Sequence, residues 1–211
     1  MKICKYELYA IETGSFGLDG GAMFGIIPKP LWSKLNPADE LNRVTLNARN
    51  LLLVSESRKI LIDTGIGTNW DEKFVKIYRL DQSVNTSQKS LDKLGIKPEE
   101  ITDVLLTHLH FDHTGGSTTF QDGNWIPTFP NAKYYVQKKH FEWAINPSDR
   151  DRGSFIQNRF MPLHKEGLLH FIDGEVPFDD EIDFLIINGH TFSQQMIKIH
   201  DSSNTVLYCG D

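Results

Sequence analysis

The sequence predicts an α/β protein, and three observations carry that expectation. Short aliphatic runs bounded by polar residues recur along the chain, capped amphipathic segments stand between some of them, and no repeat or low-complexity tract interrupts the alternation. With 211 residues, 39% hydrophobic and 11% aromatic, the chain has enough apolar material for a core. A single domain over residues 1–211 is expected, its first 48 residues supplying an N-terminal strand and an arm over a pocket.

The elements follow in order. "MKICKYELYAIETG" lacks the apolar run of a signal peptide and is read as the opening strand region. The arm "DGGAMFGIIPKPLW" is rich in Gly, Pro and aromatics, so Phe24 and Trp32 are expected to line the approach to a binding pocket, joined from the far end of the chain by Phe192. "NLLLVS" (Asn50 to Ser55) and "RKILIDTG" (Arg58 to Gly65) read as paired strands with "ESR" as the turn. "NTSQKSLDKLG" (Asn85 to Gly95) has capping residues at its start, Leu91 and Leu94 on one face and Gly at its end, which predicts a helix. "TDVLLTHLH" is expected as a buried strand. "AKYYVQ", "LLHFID", "DFLIING", "QQMIKIH" and "NTVLYCGD" supply further strands, and "KKHFEWAI" a further helix.

Charge and cysteines narrow the function classes. A net charge of −6 with no Lys/Arg block argues against a nucleic-acid partner. No stretch approaches the roughly 20 apolar residues needed to span a bilayer, so no membrane partner and a cytoplasmic location are expected. Cys4 and Cys209 lie at opposite ends of the chain and form no C-x-x-C pair, which points to two reduced thiols. The expected partner is a small-molecule substrate, with homo-oligomerisation left open.

The chemistry sits in "THLHFDHTGG", Thr107 to Gly116. Three of eight histidines, His108, His110 and His113, fall within six positions, with Asp112 between the last two. Each imidazole needs its own hydrogen-bond partner, so such crowding points to a shared ligand. On a strand end His108 and His110 would project to one side and Leu109 to the other, with Asp112 and His113 following where the chain turns away. Gly115 and Gly116 permit close backbone approach. Imidazole nitrogen and carboxylate oxygen suit Zn²⁺ first, then Fe or Mn.

The pattern H-x-H-x-D-H followed by Gly-Gly resembles the metallo-β-lactamase fold superfamily. "LIDTG" (Leu61 to Gly65), "NGHT" (Asn188 to Thr191) and "LYCGD" (Leu207 to Asp211) occur in that superfamily's order, and the wording "HLHFDH" with the N-terminal arm is closest to its lactonase and organophosphate-hydrolase-like branch. The resemblance implies an αββα sandwich. It implies that His108, His110 and His190 hold a first metal, that Asp112 and His113 hold a second, and that Asp211 bridges the two, about 3.5 to 4 Å apart. It further implies that Asp112 orients or accepts a proton as the catalytic residue, and that Asp63 holds a ligand histidine's second nitrogen or braces the site loop.

Two departures from the pattern matter. "GHTFSQQ" stands where the family reads Gly-His-Thr-Pro-Gly, and the family's last histidine for the second metal comes tens of residues beyond the bridging aspartate, whereas this sequence stops at Asp211. The expectation is an incomplete C-terminal part, with one zinc or a partly filled second site. The alternatives are that a partner chain, His140, His164, His170 or His200 fills the place. The function implied is that of a dinuclear zinc hydrolase, in which a metal-held hydroxide attacks a lactone, ester or related electrophile. An iron-dependent redox enzyme on the same ligands, and a metal-stabilised binding module with impaired catalysis, are the rival classes.

Overall fold

The computed structural model describes residues 1–211. The chain opens with a two-residue strand β1 (Lys2–Ile3) and then β2 (Tyr6–Asp19), whose 14 residues pair antiparallel with β3 (Arg43–Val54) from Glu7↔Val54 to Asp19↔Arg43. Between them lies the arm, which folds into two short helices, α1 (Gly20–Phe24) and α2 (Lys29–Trp32). Strand β3 turns through Ser55 to Arg58 into β4 (Lys59–Ile62), as the sequence predicts. The length of β2 was not legible in the sequence, because Gly14, Ser15 and Gly17 break its aliphatic run. Its burial alternates through most of its length, so one face enters the core while the other stays wetter.

After β4 come α3 (Glu72–Tyr78), α4 (Ser87–Asp92) with Thr86 as its cap, β5 (Asp103–Leu105), α5 (Phe111–Thr114), and the hairpin β6 (Thr118–Gln121) with β7 (Asn124–Pro127). Then follow β8 (Lys133–Gln137), α6 (Lys138–Ile145), α7 (Met161–Lys165) and β9 (Leu169–Ile172). Every element after that is a strand: β10 (Pro177–Asp179), β11 (Ile182–Ile187), β12 (Gln194–His200) and β13 (Thr205–Tyr208).

Two large sheets result, ordered β1-β2-β3-β4-β5-β8-β9 and β10-β11-β12-β13, and the β6-β7 hairpin forms a third, two-stranded one. The first carries parallel pairs β4·β5, β5·β8 and β8·β9. Two apolar clusters set the layers. Leu52, Leu61, Val104 and Val136 face helical Leu91, Phe141, Ala144 and Leu163 on one side of the first sheet. On its other side Leu53, Ile60, Ile62 and Leu105 meet Ile182, Phe184, Ile197 and Ile199 of the second sheet. Helix, sheet and sheet therefore stack in the order of the expected sandwich.

One local reading needs correcting. β5 ends at Leu105, so the histidines stand on the loop beyond a short strand rather than on the strand itself. Thr107 N–H donates to the Asp63 side chain instead of continuing the ladder, and this carboxylate is what ends the pairing. The side-to-side alternation survives locally: Leu109 is buried in the helix-side cluster while His108 and His110 face the site.

Candidate metal centre

Four segments bring the polar groups together at one end of the two sheets. The loop after β5 carries His108 and His110, α5 carries Asp112 and His113, the β11–β12 loop carries His190, and the segment after β13 carries Asp211. One ligand atom from each of His108, His110 and His190 lies within 4.8 Å of the others, and the same holds for His108, His113 and Asp211. His108 thus stands between both groups. Nε2 of His113 is 3.5 Å from Asp211 Oδ2 and 3.7 Å from Asp112 Oδ2, and Nε2 of His190 is 3.7 Å from Asp211 Oδ2.

The local fold explains why these rings turn inward. Asp63 adopts φ of +57°, a left-handed conformation that costs a non-glycine residue about 1 to 3 kcal/mol, so something must hold it. Three donors do. Its fully buried carboxylate accepts from Thr107 N–H at 2.8 Å, from Thr107 Oγ1 at 2.8 Å and from His113 Nδ1 at 2.7 Å. Thr107 Oγ1 also lies 3.0 Å from His108 Nδ1. With both Nδ1 atoms engaged, the Nε2 atoms of His108 and His113 are the ones turned to the centre.

The Gly-Gly turn is equally constrained. A β-carbon on Gly115 would sit 1.9 Å from the Ile66 carbonyl oxygen, and one on Gly116 would sit 2.3 Å from that of Thr64. Only glycine lets α5 end against the 63–67 loop.

The electrostatics suit a cation. Burial, reinforced by the neighbouring histidines, pushes His108 well below the ordinary imidazole range and His110 down to about 2. Both rings are therefore neutral donors of an electron pair at physiological pH. Burial opposes a charge on His113, yet the carboxylates of Asp63, Asp112 and Asp211 overcome it and hold that ring well above its usual value. His113 lowers Asp211, whereas burial raises Asp112. Nε2 of His108 and Nε2 of His110 are buried without any hydrogen-bond partner. An orphaned His108 nitrogen is costly unless something binds it, and His110 Nδ1 and His190 Nε2 converge to 2.9 Å in the same group, which is the observation by which the residues fit a metal.

The other sequence candidates separate clearly. The structure places Phe24 against Trp32, stacked at 4.8 Å, with Trp32 buried over Gly20. Neither borders the 310 Å³ cavity beside the centre, whose walls include Phe16, Leu46, Asn50, Tyr208, Asp112 and Asp211. Phe192 follows His190 on its loop but packs its ring 5.7 Å from Trp143, also outside that cavity. As for the alternative ligands, His140 has both nitrogens bonded, His200 pairs with Asp183 at 2.9 Å, His170 lies against Tyr135, and His164 lies against Phe141. None of these four enters the cluster.

Sequence reasoning assigned no role to two residues at the site, Thr107 and Gln194. Gln194, wholly buried, donates from Nε2 to the carbonyls of Cys209 and Asp211 at 3.3 and 2.6 Å. The signal available was the polar pair Gln194-Gln195 opening an otherwise aliphatic strand.

A two-sheet α/β fold with histidines and carboxylates gathered from both sheets defines a class, and comparison with known proteins agrees. Residues 44–211 match the family model of the metallo-beta-lactamase superfamily, and the chain belongs to that superfamily. Its structure superposes on a probable metal-dependent hydrolase from Staphylococcus aureus with a TM-score of 0.90 and 30% identity, covering 100% of this chain and 74% of that one. AidC, a dizinc quorum-quenching lactonase in complex with a product, shares the fold with a TM-score of 0.76 and 22% identity, over 99% of this chain and 72% of its own. By sequence, an N-acyl homoserine lactonase of Bacillus thuringiensis is 26% identical over 219 residues, 97% of this chain and 75% of its own length. A probable metallo-hydrolase of Mycobacterium tuberculosis is 26% identical over 217 residues, 90% of this chain. The chain spans 66% of that mycobacterial relative. No helix is long and apolar enough to cross a membrane.

Proposed function

We propose that this chain carries the catalytic core of a zinc-dependent hydrolase acting on lactones or esters. The observation that carries the reading is the buried, unpartnered Nε2 of His108, grouped with His110 Nδ1 and His190 Nε2, which lie only 2.9 Å apart, and with the Asp211 carboxylate 3.7 Å from that His190 nitrogen. His108, His110 and His190 would hold one ion, and Asp112, His113 and Asp211 would contribute to a second, with Asp211 between them. When bound, such ions supply Lewis acidity and lower the pKa of a coordinated water.

The protein's own groups do the rest. Asp63 accepts at Nδ1 of His113 and so turns Nε2 of that ring toward the centre. Thr107 does the same for the orientation of His108. Asp112 sits 3.7 Å from His113 Nε2, and burial raises the affinity of its carboxylate for a proton, which suits a group that takes up a proton at Oδ2 and returns it to a leaving oxygen. The lactone or ester preference draws support from the lactonases among the similar proteins. A panel of lactones, aryl esters, thioesters, phosphotriesters and β-lactams, tested on the zinc-loaded full-length protein, decides it. Turnover highest on lactones or esters and lost with Asp112→Asn is the expected result, and turnover confined to another class overturns the substrate assignment.

A further inference from the structure

We infer that His140 is a positioning residue that straps together the two loops carrying His108, His110 and His190, and so fixes the spacing of the first metal's ligands. The inference rests on the metal-binding reading above. His140 stands in α6, wholly buried, and belongs to neither loop. Its Nε2 accepts from the Leu109 N–H at 2.9 Å, and Leu109 is the residue between His108 and His110. Its Nδ1 donates to the Phe192 carbonyl at 2.7 Å, two residues beyond His190.

A single tautomer, protonated at Nδ1, satisfies both bonds, so one rigid ring spans the gap. The gap matters because the loops hang from different sheets. Residues 106–110 follow β5 of the first sheet, while residues 188–193 join β11 to β12 of the second. Gln195 ties the roots of these loops, its N–H to the Thr107 carbonyl at 2.9 Å and its Nε2 to the Leu106 carbonyl at 2.8 Å. His140 ties them beside the ligands themselves. The ring is also anchored: Phe141 and Ala144 of the same helix lie in the helix-side core, and Phe155 packs 5.8 Å from it. With no nitrogen to spare, His140 acts on the metal only through the two loops.

Two half-replacements test this. In His140→Gln the amide oxygen reaches the Nε2 position and keeps the acceptor for Leu109, but the donor to Phe192 is lost. In His140→Asn the amide nitrogen occupies the Nδ1 position and keeps that donor, but the Leu109 acceptor is lost. Zinc affinity by chelator competition, the visible spectrum of the Co²⁺-loaded protein and the melting temperature of the metal-free protein are measured for both and for the parent. Each variant is expected to bind zinc about 10- to 100-fold more weakly and to shift the Co²⁺ bands, by the scale seen when groups supporting a metal ligand are removed. Zinc affinity within about twofold of the parent, with only the metal-free melting temperature lowered, makes His140 a plain core residue and overturns the inference.

Nitrogen NMR of the parent gives a reading that needs no variant. A protonated Nδ1 and a bare Nε2 on His140, in both metal-free and zinc-loaded protein, are expected, and the opposite tautomer overturns the strap. A parent that binds no zinc sinks the metal-binding reading, and the strap with it, whereas normal zinc binding in parent and variants alike sinks the strap alone.

Discussion

Asp63 concentrates the site's internal order in one carboxylate. It ends the β5 ladder by capturing Thr107 N–H, holds Thr107 Oγ1 beside His108, and orients His113. Asp63→Asn retains the size but places an amide N–H2 opposite donors, so one contact becomes a donor-to-donor clash. Loss of about 3 kcal/mol in chemical denaturation of the metal-free protein is expected, the lower end for breaking a buried charged pair. Zinc binding should weaken at the same time, and a variant with parental stability and parental affinity contradicts the role. His140 offers a pH test. Burial holds its pKa down to about 4 against an ordinary 6.5, so below pH 6.5 the unfolded chain takes up the proton first. Its stabilising contribution is therefore complete above pH 6.5 and lost as pH falls toward 4, about 3 kcal/mol in all. Denaturation of metal-free parent and His140→Gln between pH 7 and pH 4 should show the parent losing more by that amount, and parallel curves contradict it. At this scale the convergence of His108, His110, Asp112 and His113 was legible from spacing alone. His190, Asp211 and Asp63 came only from the order of segments. Thr107, Gln194 and the strap of His140 were not legible, since His140 meets partners 31 and 52 positions away and no local pattern marks such pairs.

Among the elements, those with strong local signals appear where the sequence puts them: the β3–β4 turn, α4 with its Thr86 cap, and the aliphatic strands β8, β9, β11 and β12. Two elements differ for tertiary reasons. β5 is short because a side chain replaces its next ladder partner, and β2 runs long because β3 templates it across glycines that alone favour a break. The arm differs as well. Its aromatics read as pocket walls, yet half-buried Phe24 stacks on buried Trp32, and Gly20 is where a β-carbon would fall 2.4 Å from the Trp32 ring. Trp32→Ala is thus expected to cost about 3 kcal/mol, as for an aromatic truncated in a core, and to leave zinc content unchanged. Retained stability together with altered substrate selectivity would return the arm to the pocket.

Over the whole molecule, the centre is where the two sheets are joined by chemistry rather than by apolar contact alone. His108, His110, Asp112 and His113 stand on the loop and short helix that follow β5 of the first sheet, His190 and Asp211 on segments of the second, so an ion held by both sets would bridge the halves of the fold. Binding to the folded state only adds stability with free metal, about 4 kcal/mol at a thousandfold excess over Kd. Whether these histidines hold zinc is read from metal analysis of protein purified without chelator or added metal, with a His108→Ala, His110→Ala double variant alongside. At least one zinc per chain is expected in the parent, with loss of that ion in the variant. A parent without metal, or a variant that keeps its full complement, contradicts it.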